Sequence, residues 1–210
     1  DDVESRGLGD VYKRQVLTVL NRSHDPFYNQ AFEEYVFQAF PSDDVFLLWV
    51  NDPAVVVGSH QNICREVHVE TLRRLGIPVV RRITGGGTVY HDLGNVNYTI
   101  IRNGSPYDRD YASFIAPVTE TLRSLGIPAD LSGESDIAVD GLKVSGSAQR
   151  AAHGRVMHHA TLLYSSDLDA LRTLTRGRRA WFTTKGTASK PAPVTNMRDH
   201  MASPFASACL

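Results

Sequence analysis

Short apolar runs separated by turn residues are the main pattern of this chain, and they predict more strands than helices. The runs have strand length or alternate apolar with polar residues, and Gly, Pro, Asn and Asp cluster between them. We therefore expect strands at 16–20, 45–50, 54–58, 79–82, 95–101, 137–139, 142–144 and 159–164. Asp140-Gly141 joins two of these runs and predicts a tight hairpin, because both residue types accept a positive φ.

Helical spacing of apolar residues marks several segments between these strands. It predicts helices at 26–40, 67–75, 111–125 and 168–174. Asp25-Pro26 has the form of an N-cap followed by proline at the first helical position. On this first helix we expect one side to carry Phe27, Ala31 and Tyr35. Strands joined by hairpins outnumber the helices, which favours an α/β fold of the α+β type, a mixed and largely antiparallel β-sheet with packed helices.

The composition is that of an ordinary globular domain without general affinity for nucleic acid. The 210 residues are 42% hydrophobic and 21% charged with a formal net charge of −1, whereas nucleic-acid-binding domains are usually basic. No apolar run approaches the roughly 18 residues of a membrane span, and the polar start shows no signal peptide. Two cysteines make no disulfide framework. We expect a cytoplasmic protein that binds neither nucleic acid nor membrane.

The periodicity divides the chain into three segments. Residues 1–15 show no sustained pattern and are predicted to be an extra tail, residues 16–198 form the domain, and residues 199–210 form a second tail. Beyond residue 176 the composition turns to Lys, Arg, Thr, Ser and Pro, which predicts an extended loop and a terminus rather than a second domain.

The most informative stretch is Thr84-Gly85-Gly86-Gly87-Thr88, which lies shortly after two arginines. Glycine has no Cβ and reaches φ > 0 easily, so three in a row expose backbone N–H groups to another molecule. Such N–H groups bind anions, and arginine adds charge and fork-shaped donors for phosphate or carboxylate. A flexible hairpin loop is the alternative explanation for a lone glycine triplet.

Two further patches have the chemistry of an anion site. Asn95 and Asn97, two positions apart, face the same side of a strand. Asp136 precedes the predicted hairpin, and Lys143 follows it and enters the small-residue stretch 144–148. Small neighbours allow a ligand to come close, and lysine brings a point charge on a flexible stem. A solvated hairpin lysine is the alternative for Lys143.

Other reactive residue types favour structural roles. His158 and His159 are adjacent on a predicted strand, so they point to opposite faces and cannot hold a metal together. Cys64 has no histidine beside it, which favours an ordinary thiol over a nucleophile. His91-Asp92 is more typical of polarity at a strand end than of a catalytic dyad.

Taken together, these residues resemble the lipoate–protein ligase A family, within the biotin/lipoate ligase superfamily. The resemblance covers about residues 17–197, and its pieces occur in the expected order. They are Asp25-Pro26…Asn29…Glu33-Glu34-Tyr35, Gly58-x-x-Gln61-Asn62, RRITGGGTVYHDLGNVNYT at 81–99, Asp136-Ile137, KVSGSAQR at 143–150 and HHATLL at 158–163. The run RRITGGGTVYHDLGN is too specific to match by chance, and the resemblance implies a biotin/lipoate ligase-like catalytic domain.

The resemblance implies an ATP-dependent lipoate–protein ligase. Lipoate and ATP, with Mg²⁺ accompanying the nucleotide, would give lipoyl-adenylate, and the lipoyl group would then move to a lysine of a carrier. The implied carriers are the lipoyl domains of 2-oxoacid dehydrogenase complexes and the glycine-cleavage H protein.

The family pattern also implies the residues of the site. Lys143 would be the catalytic residue, placed between the lipoyl carboxyl and the α-phosphate. The implied nucleotide contacts are Arg82, Gly87, Thr88, Val89, Tyr90, Lys143, Asn95 and Asp136, of which Asp136 is the possible magnesium contact. The implied lipoate contacts are Thr84, Gly85, Gly86, Lys143, His159 and Thr161.

Departures from the family pattern leave alternatives open. Ligases of the long form continue into a C-terminal accessory domain, whereas this chain ends soon after residue 197, so a half-enzyme that needs a separate accessory subunit is one alternative. A lipoyl- or octanoyl-transferase would place a cysteine shortly before Asp136, where residues 131–135 read LSGES. A biotin ligase has a different glycine-rich signature.

Overall fold

The structure is a computed structural model, and it describes residues 16–40, 43–104, 110–175 and 183–201. The strands are β1 Val16–Leu20, β2 Asp44–Val50, β3 Ala54–Val57, β4 Val79–Arg81, β5 Val89–His91, β6 Asn95–Asn103, β7 Ala129–Ser132, β8 Asp136–Val139, β9 Leu142–Ala152 and β10 Arg155–Leu163. The helices are α1 Pro26–Ala39, α2 Ile63–Glu66, α3 Val69–Leu75, α4 Tyr111–Ser124 and α5 Leu168–Leu174, followed by a 3₁₀ helix at Met197–His200. The predicted α+β class is confirmed.

A seven-stranded sheet in the order β1-β2-β6-β10-β9-β8-β7 forms the main layer. All its pairs are antiparallel except β1 with β2. The predicted hairpin at Asp140-Gly141 joins β8 to β9 with φ of 50° and 76°, as a two-residue turn of the primed type requires. His153-Gly154 turns β9 into β10 in the same way, with φ of 53° and 70°.

A smaller sheet in the order β4-β3-β5 carries the glycine-rich stretch. Its central strand, β3, is buried on both faces, which explains its continuous apolar sequence. It pairs in parallel with β4 and antiparallel with β5. Residues 82–88 connect β4 to β5 across β3, so the glycine triplet lies at the end of this sheet.

The first helix buries a different side from the one that the apolar spacing indicated. Asp25 caps α1 as predicted, and its side chain accepts from the backbone N–H groups of two first-turn residues. Phe27 and Tyr35, however, are 56% and 61% exposed. The buried side includes the polar residues Asn29 and Glu33. The prediction was wrong because buried polar partners, together with the core contacts of Val36 and Phe37, set the orientation of this helix.

The second predicted helix is α3, which begins two residues later than expected and follows a short helix, α2, that was not predicted, and the last segment is more than a loop. α2 ends at Glu66 and α3 begins at Val69, with Gly76 in the left-handed region directly after α3. Near the C-terminal end, Val194 pairs with Lys143 of β9 in a parallel bridge. Met197 is buried in the cluster that includes Ile137. Residues 193–197 therefore pack on the domain, with Thr195 and Met197 buried.

Some predictions fall outside the described residues. Of the two predicted tails, residues 1–15 and 202–210 lie outside the described ranges, and the domain boundaries stay predictions. Among the helices that the structure describes, none has the length and apolarity needed to cross a membrane.

Candidate active site

A cavity of about 440 Å³ is lined by residues of both sheets, and most of the predicted site residues lie in its wall. The predicted residues that line it are Arg82, Gly86, Gly87, Thr88, Val89, Asp136, Lys143, His159 and Thr161. They come from the glycine-rich loop, β5, the β8–β9 hairpin and β10, which are distant in sequence. The fold therefore brings the three patches of the sequence to one place.

The glycine loop folds around the side chain of Arg82. The guanidinium donates from Nη2 to the carbonyl oxygens of Gly85 and Gly87, both at 2.6 Å. Its Nε donates to Thr84 Oγ1 at 3.0 Å, and its Nη1 to the carbonyl of Val56 at 3.3 Å. In a trans peptide the N–H points away from the carbonyl, so the Gly86 N–H is directed away from Arg82. The loop thus uses its carbonyls for its own folding and turns an amide outward.

Burial changes the electrostatics of Arg82. The side chain is enclosed, and desolvation lowers its pKa to about 10, while the nearby charge of Glu33 opposes this shift. Arg82 is therefore still a cation at neutral pH. Arg82 lines the cavity, and its hydrogen bonds to the carbonyls of Gly85 and Gly87 hold the glycine loop in place.

A chain of buried hydrogen bonds runs from Arg82 to helix α1. Thr84 Oγ1 accepts from Arg82 and is hydrogen-bonded to His159 Nε2 at 2.7 Å. His159 Nδ1 then donates to the carboxylate of Glu33 at 2.9 Å. Thr99 Oγ1 donates to the same carboxylate at 2.5 Å. Glu33 thus compensates the buried arginine and fixes the tautomer and orientation of His159.

Lys143 is directed into the cavity by an irregularity in β9. Ile137 pairs with Ser145 whereas Ala138 pairs with Lys143, so Val144 is an extra residue, a β-bulge. The Lys143 ammonium lies 2.8 Å from Asp136 Oδ2, and both side chains are about 30% exposed. A Cβ at Gly146 would come within 2.8 Å of Lys143 Nζ, so glycine at that position gives the lysine its room. Lys143 is a paired but accessible cation.

The remaining predicted residues lie behind the wall rather than in it. Thr84 and Gly85 hold Arg82 as described above, and Tyr90 is buried in a core cluster with Val55. Burial raises the pKa of Tyr90 to about 12, with the nearby carboxylates as a further cause. Asn95 is buried and donates to Asn97 Oδ1 at 3.0 Å, which confirms that these two side chains share a side. Only Asn97 of this pair lines the cavity.

Sequence reasoning missed one whole wall of the cavity. Residues 187–192, expected to be plain loop, line it next to the glycine loop. Trp49, His91 and Gln30 also contribute to the lining and were not predicted as site residues. The small residues of the stretch Gly186–Ser189 are the signal that could have indicated close packing against another backbone.

His91 and His158 are buried histidines that belong to the scaffold. His91 Nδ1 lies 3.0 Å from the side-chain nitrogen of Asn51, and burial lowers the pKa of His91 to about 3, helped by the charge of Arg82. His158 points away from His159, as predicted, and stacks on Phe114. Burial likewise lowers the pKa of His158 to about 3.

Two further predictions concern reactive groups. The carboxylate of Asp92 accepts from the backbone N–H groups of Gly94 and Asp167, which is a structural role. Cys64 is exposed on α2 and does not line the cavity. Within the described residues, no group of three or more His, Cys, Asp or Glu side chains is arranged to hold a metal ion.

Comparison with known proteins agrees with this geometry. The family model of the lipoyl protein ligase A/B catalytic domain matches residues 25–208. The chain belongs to this family. Lipoate-protein ligase LplJ of Bacillus subtilis is 37% identical over 180 residues, which are 85% of this chain and 54% of LplJ. The chain therefore spans about half the length of the curated relatives it matches.

Solved structures of the family share the fold. A lipoate-protein ligase A bound with ATP matches with a TM-score of 0.73 at 26% identity, covering 91% of this chain and 78% of that one. A bi-partite lipoate protein ligase from Thermoplasma acidophilum, described with its E2 lipoyl domain, matches with a TM-score of 0.73 at 27% identity. The match covers 76% of this chain and 66% of that structure.

Proposed function

We propose that this chain is the catalytic part of a ligase that activates lipoate with ATP and transfers the lipoyl group to a lysine of a carrier domain. The observation that carries the proposal is the position of Lys143 in one cavity with the Arg82-bound glycine loop. The cations of the cavity suit two anionic substrates. The names of the relatives support the same activity.

The chemistry needs positioning and charge stabilisation rather than a protein nucleophile. The carboxylate oxygen of lipoate attacks the α-phosphorus of ATP, and pyrophosphate leaves. The ε-amine of the carrier lysine then attacks the acyl carbon, loses a proton, and AMP leaves. Negative charge develops on phosphate oxygens in the first step and on the acyl oxygen in the second. Lys143, held by Asp136 at 2.8 Å, is the cation that we assign to both steps.

We assign the two ends of the cavity to the two substrates. The nucleotide side comprises Arg82, Gly87, Thr88, Val89, Tyr90, Asn95, Asp136 and Lys143, where Tyr90 and Asn95 would act from behind the wall. The lipoyl side comprises Thr84, Gly85, Gly86, Lys143, His159 and Thr161. Asp136 offers one carboxylate, which suits a Mg²⁺ ion held mainly by the phosphates of ATP. Trp49 and Val56 add apolar surface for the acyl chain.

The carriers and a possible second subunit are part of the proposal. Lipoyl domains of 2-oxoacid dehydrogenase complexes and the glycine-cleavage H protein present the lysine that the second step needs. A neighbour that is a bi-partite ligase described with an E2 lipoyl domain supports both ideas. The cytoplasmic location stays a prediction.

The decisive experiment follows the mass of a carrier. The purified chain is incubated with an apo lipoyl domain and lipoate, with and without ATP and Mg²⁺. Lipoylation that requires ATP supports the proposal. Modification only from supplied lipoyl-adenylate would instead indicate a half-enzyme that needs a partner. Transfer from an octanoyl or lipoyl thioester without ATP would indicate a transferase, which the position of Cys64 outside the cavity disfavours.

Replacement of Lys143 tests the central residue. We expect Lys143→Ala to lower the rate of transfer by about 10³-fold or more, since a cation aimed at developing charge contributes several kcal/mol to the transition state. The protein should stay folded, because the side chain is part-exposed and its bond to Asp136 is a surface ion pair. Lys185→Ala, outside the cavity lining, is the matched control. Wild-type activity in Lys143→Ala would contradict the assignment.

A further inference from the structure

Ser189 joins the wall segment, residues 187–192, to the glycine loop. Its hydroxyl accepts from the backbone N–H of Thr88 at 2.8 Å and from Gln61 Nε2 at 2.9 Å. It donates to Glu66 Oε2 at 2.5 Å. A serine hydroxyl has one proton and two lone pairs, so all of its hydrogen-bonding capacity is used. These three bonds fix the wall segment at a defined position on the domain. We call the contacts of Ser189 with Thr88, Gln61 and Glu66 the junction.

Glu66 is a buried acid that serves this junction. The residue is 5% exposed, and one of its carboxylate oxygens, Oε2, accepts from both the hydroxyl and the backbone N–H of Ser189, at 2.5 and 3.1 Å. Its other oxygen lies 4.0 Å from Arg65 Nε. A buried carboxylate is costly unless its hydrogen bonds are made. Without Ser189, most of this compensation would be lost.

The same junction reaches the centre of the glycine loop. Gln61 Oε1 accepts from the backbone N–H of Gly58 at 2.8 Å and from Thr88 Oγ1 at 3.0 Å. A Cβ at Gly87 would meet Ser189 Oγ at 3.2 Å, so the loop and the wall segment are in direct contact. Movement of Ser189 would therefore alter the positions of Gly87 and Thr88, which line the nucleotide side of the cavity.

The wall segment has further contacts along the loop that follows β3. The backbone N–H of Thr187 donates to the carbonyl of His60 at 2.9 Å. Asn62 donates to Thr184 Oγ1 at 3.3 Å. A Cβ at Gly186 would come within 2.9 Å of the Asn62 backbone nitrogen, so this approach requires glycine. These contacts align the segment, and Ser189 is the point at which it is fastened to both a buried acid and the glycine loop.

We infer that Ser189 is a positioning residue that docks residues 187–192 on the glycine loop and so completes the nucleotide side of the cavity. The inference rests on the proposed function for the identity of the ligand, ATP. It assigns Glu66 and Gln61 the role of holding Ser189. It also implies that loss of the junction weakens the binding of ATP but not that of lipoate. The reason is that the junction contacts Thr88 and Gly87 but not the hydrogen-bond chain from His159 to Glu33.

The test compares Glu66→Ala with Glu66→Gln in the full chain. Both bonds to Ser189 end on one carboxylate oxygen, which the amide oxygen of glutamine can replace, whereas alanine removes it. Hydrogen–deuterium exchange of the peptide that contains residues 187–192 is measured without ligand, and the Kd values of ATP and lipoate are measured separately. Ser189→Ala is the second variant, and Ser124→Ala, a serine bonded only within α4, is the matched control.

In Glu66→Ala and Ser189→Ala we expect faster exchange in 187–192 and an ATP Kd raised about tenfold, as loss of a charged hydrogen bond predicts. The lipoate Kd should change by less than about twofold, and Glu66→Gln should restore both slow exchange and ATP affinity. Unchanged ATP affinity despite faster exchange, an equal loss for both substrates, or identical behaviour of the two Glu66 variants would overturn the inference. A wild-type chain that binds no ATP would contradict the proposed function, and the exchange comparison would still decide whether Ser189 holds the wall.

Discussion

Burial decides the charge of individual groups around the cavity. Arg82 stays cationic with a pKa of about 10, because Glu33 compensates part of its desolvation. His91 is neutral, since burial lowers its pKa to about 3. Lys143 and Asp136 keep part of their solvent exposure and form an ion pair that a charged substrate can rearrange. The site therefore combines a fixed cation in the wall with an accessible one.

Two of the buried histidines, His91 and His158, make stability depend on pH. His91 and His158 have pKa values near 3 in the folded protein and about 6.5 in an unfolded chain. Between these values the unfolded state binds protons that the folded state does not, so the free energy of unfolding rises with pH and is lost as the pH falls below about 6.5. We expect a slope that approaches roughly 1.4 kcal/mol per pH unit for each histidine as the pH falls from about 7.5 to 5, measured by urea unfolding.

A variant separates the two contributions. His158 stacks on Phe114 with ring centroids 5.1 Å apart, so His158→Phe keeps an aromatic ring in place and removes the titrating group. The pH slope should fall by roughly half, because one of two titrating groups is gone. The free energy of unfolding itself should be lower at every pH, since Gln149 loses the histidine nitrogen as a hydrogen-bond partner. An unchanged slope would show that His158 is not the source.

At the scale of elements, the three glycines of the loop have different reasons to be glycine. Gly86 has φ of +89°, and a Cβ there would meet Arg82 Nη2 at 2.8 Å. Gly87 faces Ser189, whereas a Cβ at Gly85 would have nothing within 4 Å. Gly58, at the end of β3, permits the loop to approach, because a Cβ there would lie 2.4 Å from the Gly86 carbonyl oxygen. Glycine is thus needed in and beside this loop because other atoms approach its backbone closely, as well as because of its conformational freedom.

Alanine substitution distinguishes these reasons. We expect Gly86→Ala to lower the free energy of unfolding by about 1–2 kcal/mol, because alanine is strained at positive φ and its methyl group displaces the guanidinium. Gly85→Ala is the matched substitution and should change the free energy of unfolding by less than about 0.5 kcal/mol, since space and backbone conformation both permit a Cβ. Chemical denaturation measures both values. Equal losses in the two variants would show that the loop does not have this conformation.

For the whole molecule, the cavity depends on both sheets and on the segment near the C-terminal end. Backbone bonds at 3.0 Å join Lys143 to Pro193 and to Thr195, so residues 193–195 run along β9. Met197 then enters the core cluster of β8 and α4. The wall at 187–192 is therefore held between two fixed points, the junction at Ser189 and the strand pairing at 193–195.

Loss of the Met197 side chain tests whether this segment is part of the fold. Met197 is 4% exposed, so Met197→Ala should cost about 2–4 kcal/mol of unfolding free energy, as for other buried methionines. Met201, which is only partly buried against the same cluster, is the control and should cost clearly less when replaced by alanine. A negligible effect of Met197→Ala in thermal and urea unfolding would contradict the packing described for residues 193–197.

Much of the fold and of the site was predictable because the signals are local. Apolar runs and turn residues located eight of the ten strands that the structure describes and missed the short strands β5 and β7, while Asp140-Gly141 specified its hairpin and Asp25 marked the start of α1. The motif at 81–99 and Lys143 indicated the site. The helix expected at 67–75 is α3, which begins two residues later, at Val69. The apolar side of α1 was wrong, because the orientation of α1 also depends on contacts with distant segments, such as Glu33 pairing with His159, 126 residues away.

The sequence by itself determined the elements, the family and the reactive groups, since each depends on neighbouring residues or on a contiguous motif. Only the tertiary structure decided how those groups are used. It showed that Arg82 is enclosed by the glycine carbonyls, that Thr84 and His159 link it to Glu33, and that residues 187–192 complete the cavity. These facts rest on hydrogen bonds and burial between distant segments, and local pattern carries no information about which distant backbone covers a given side chain.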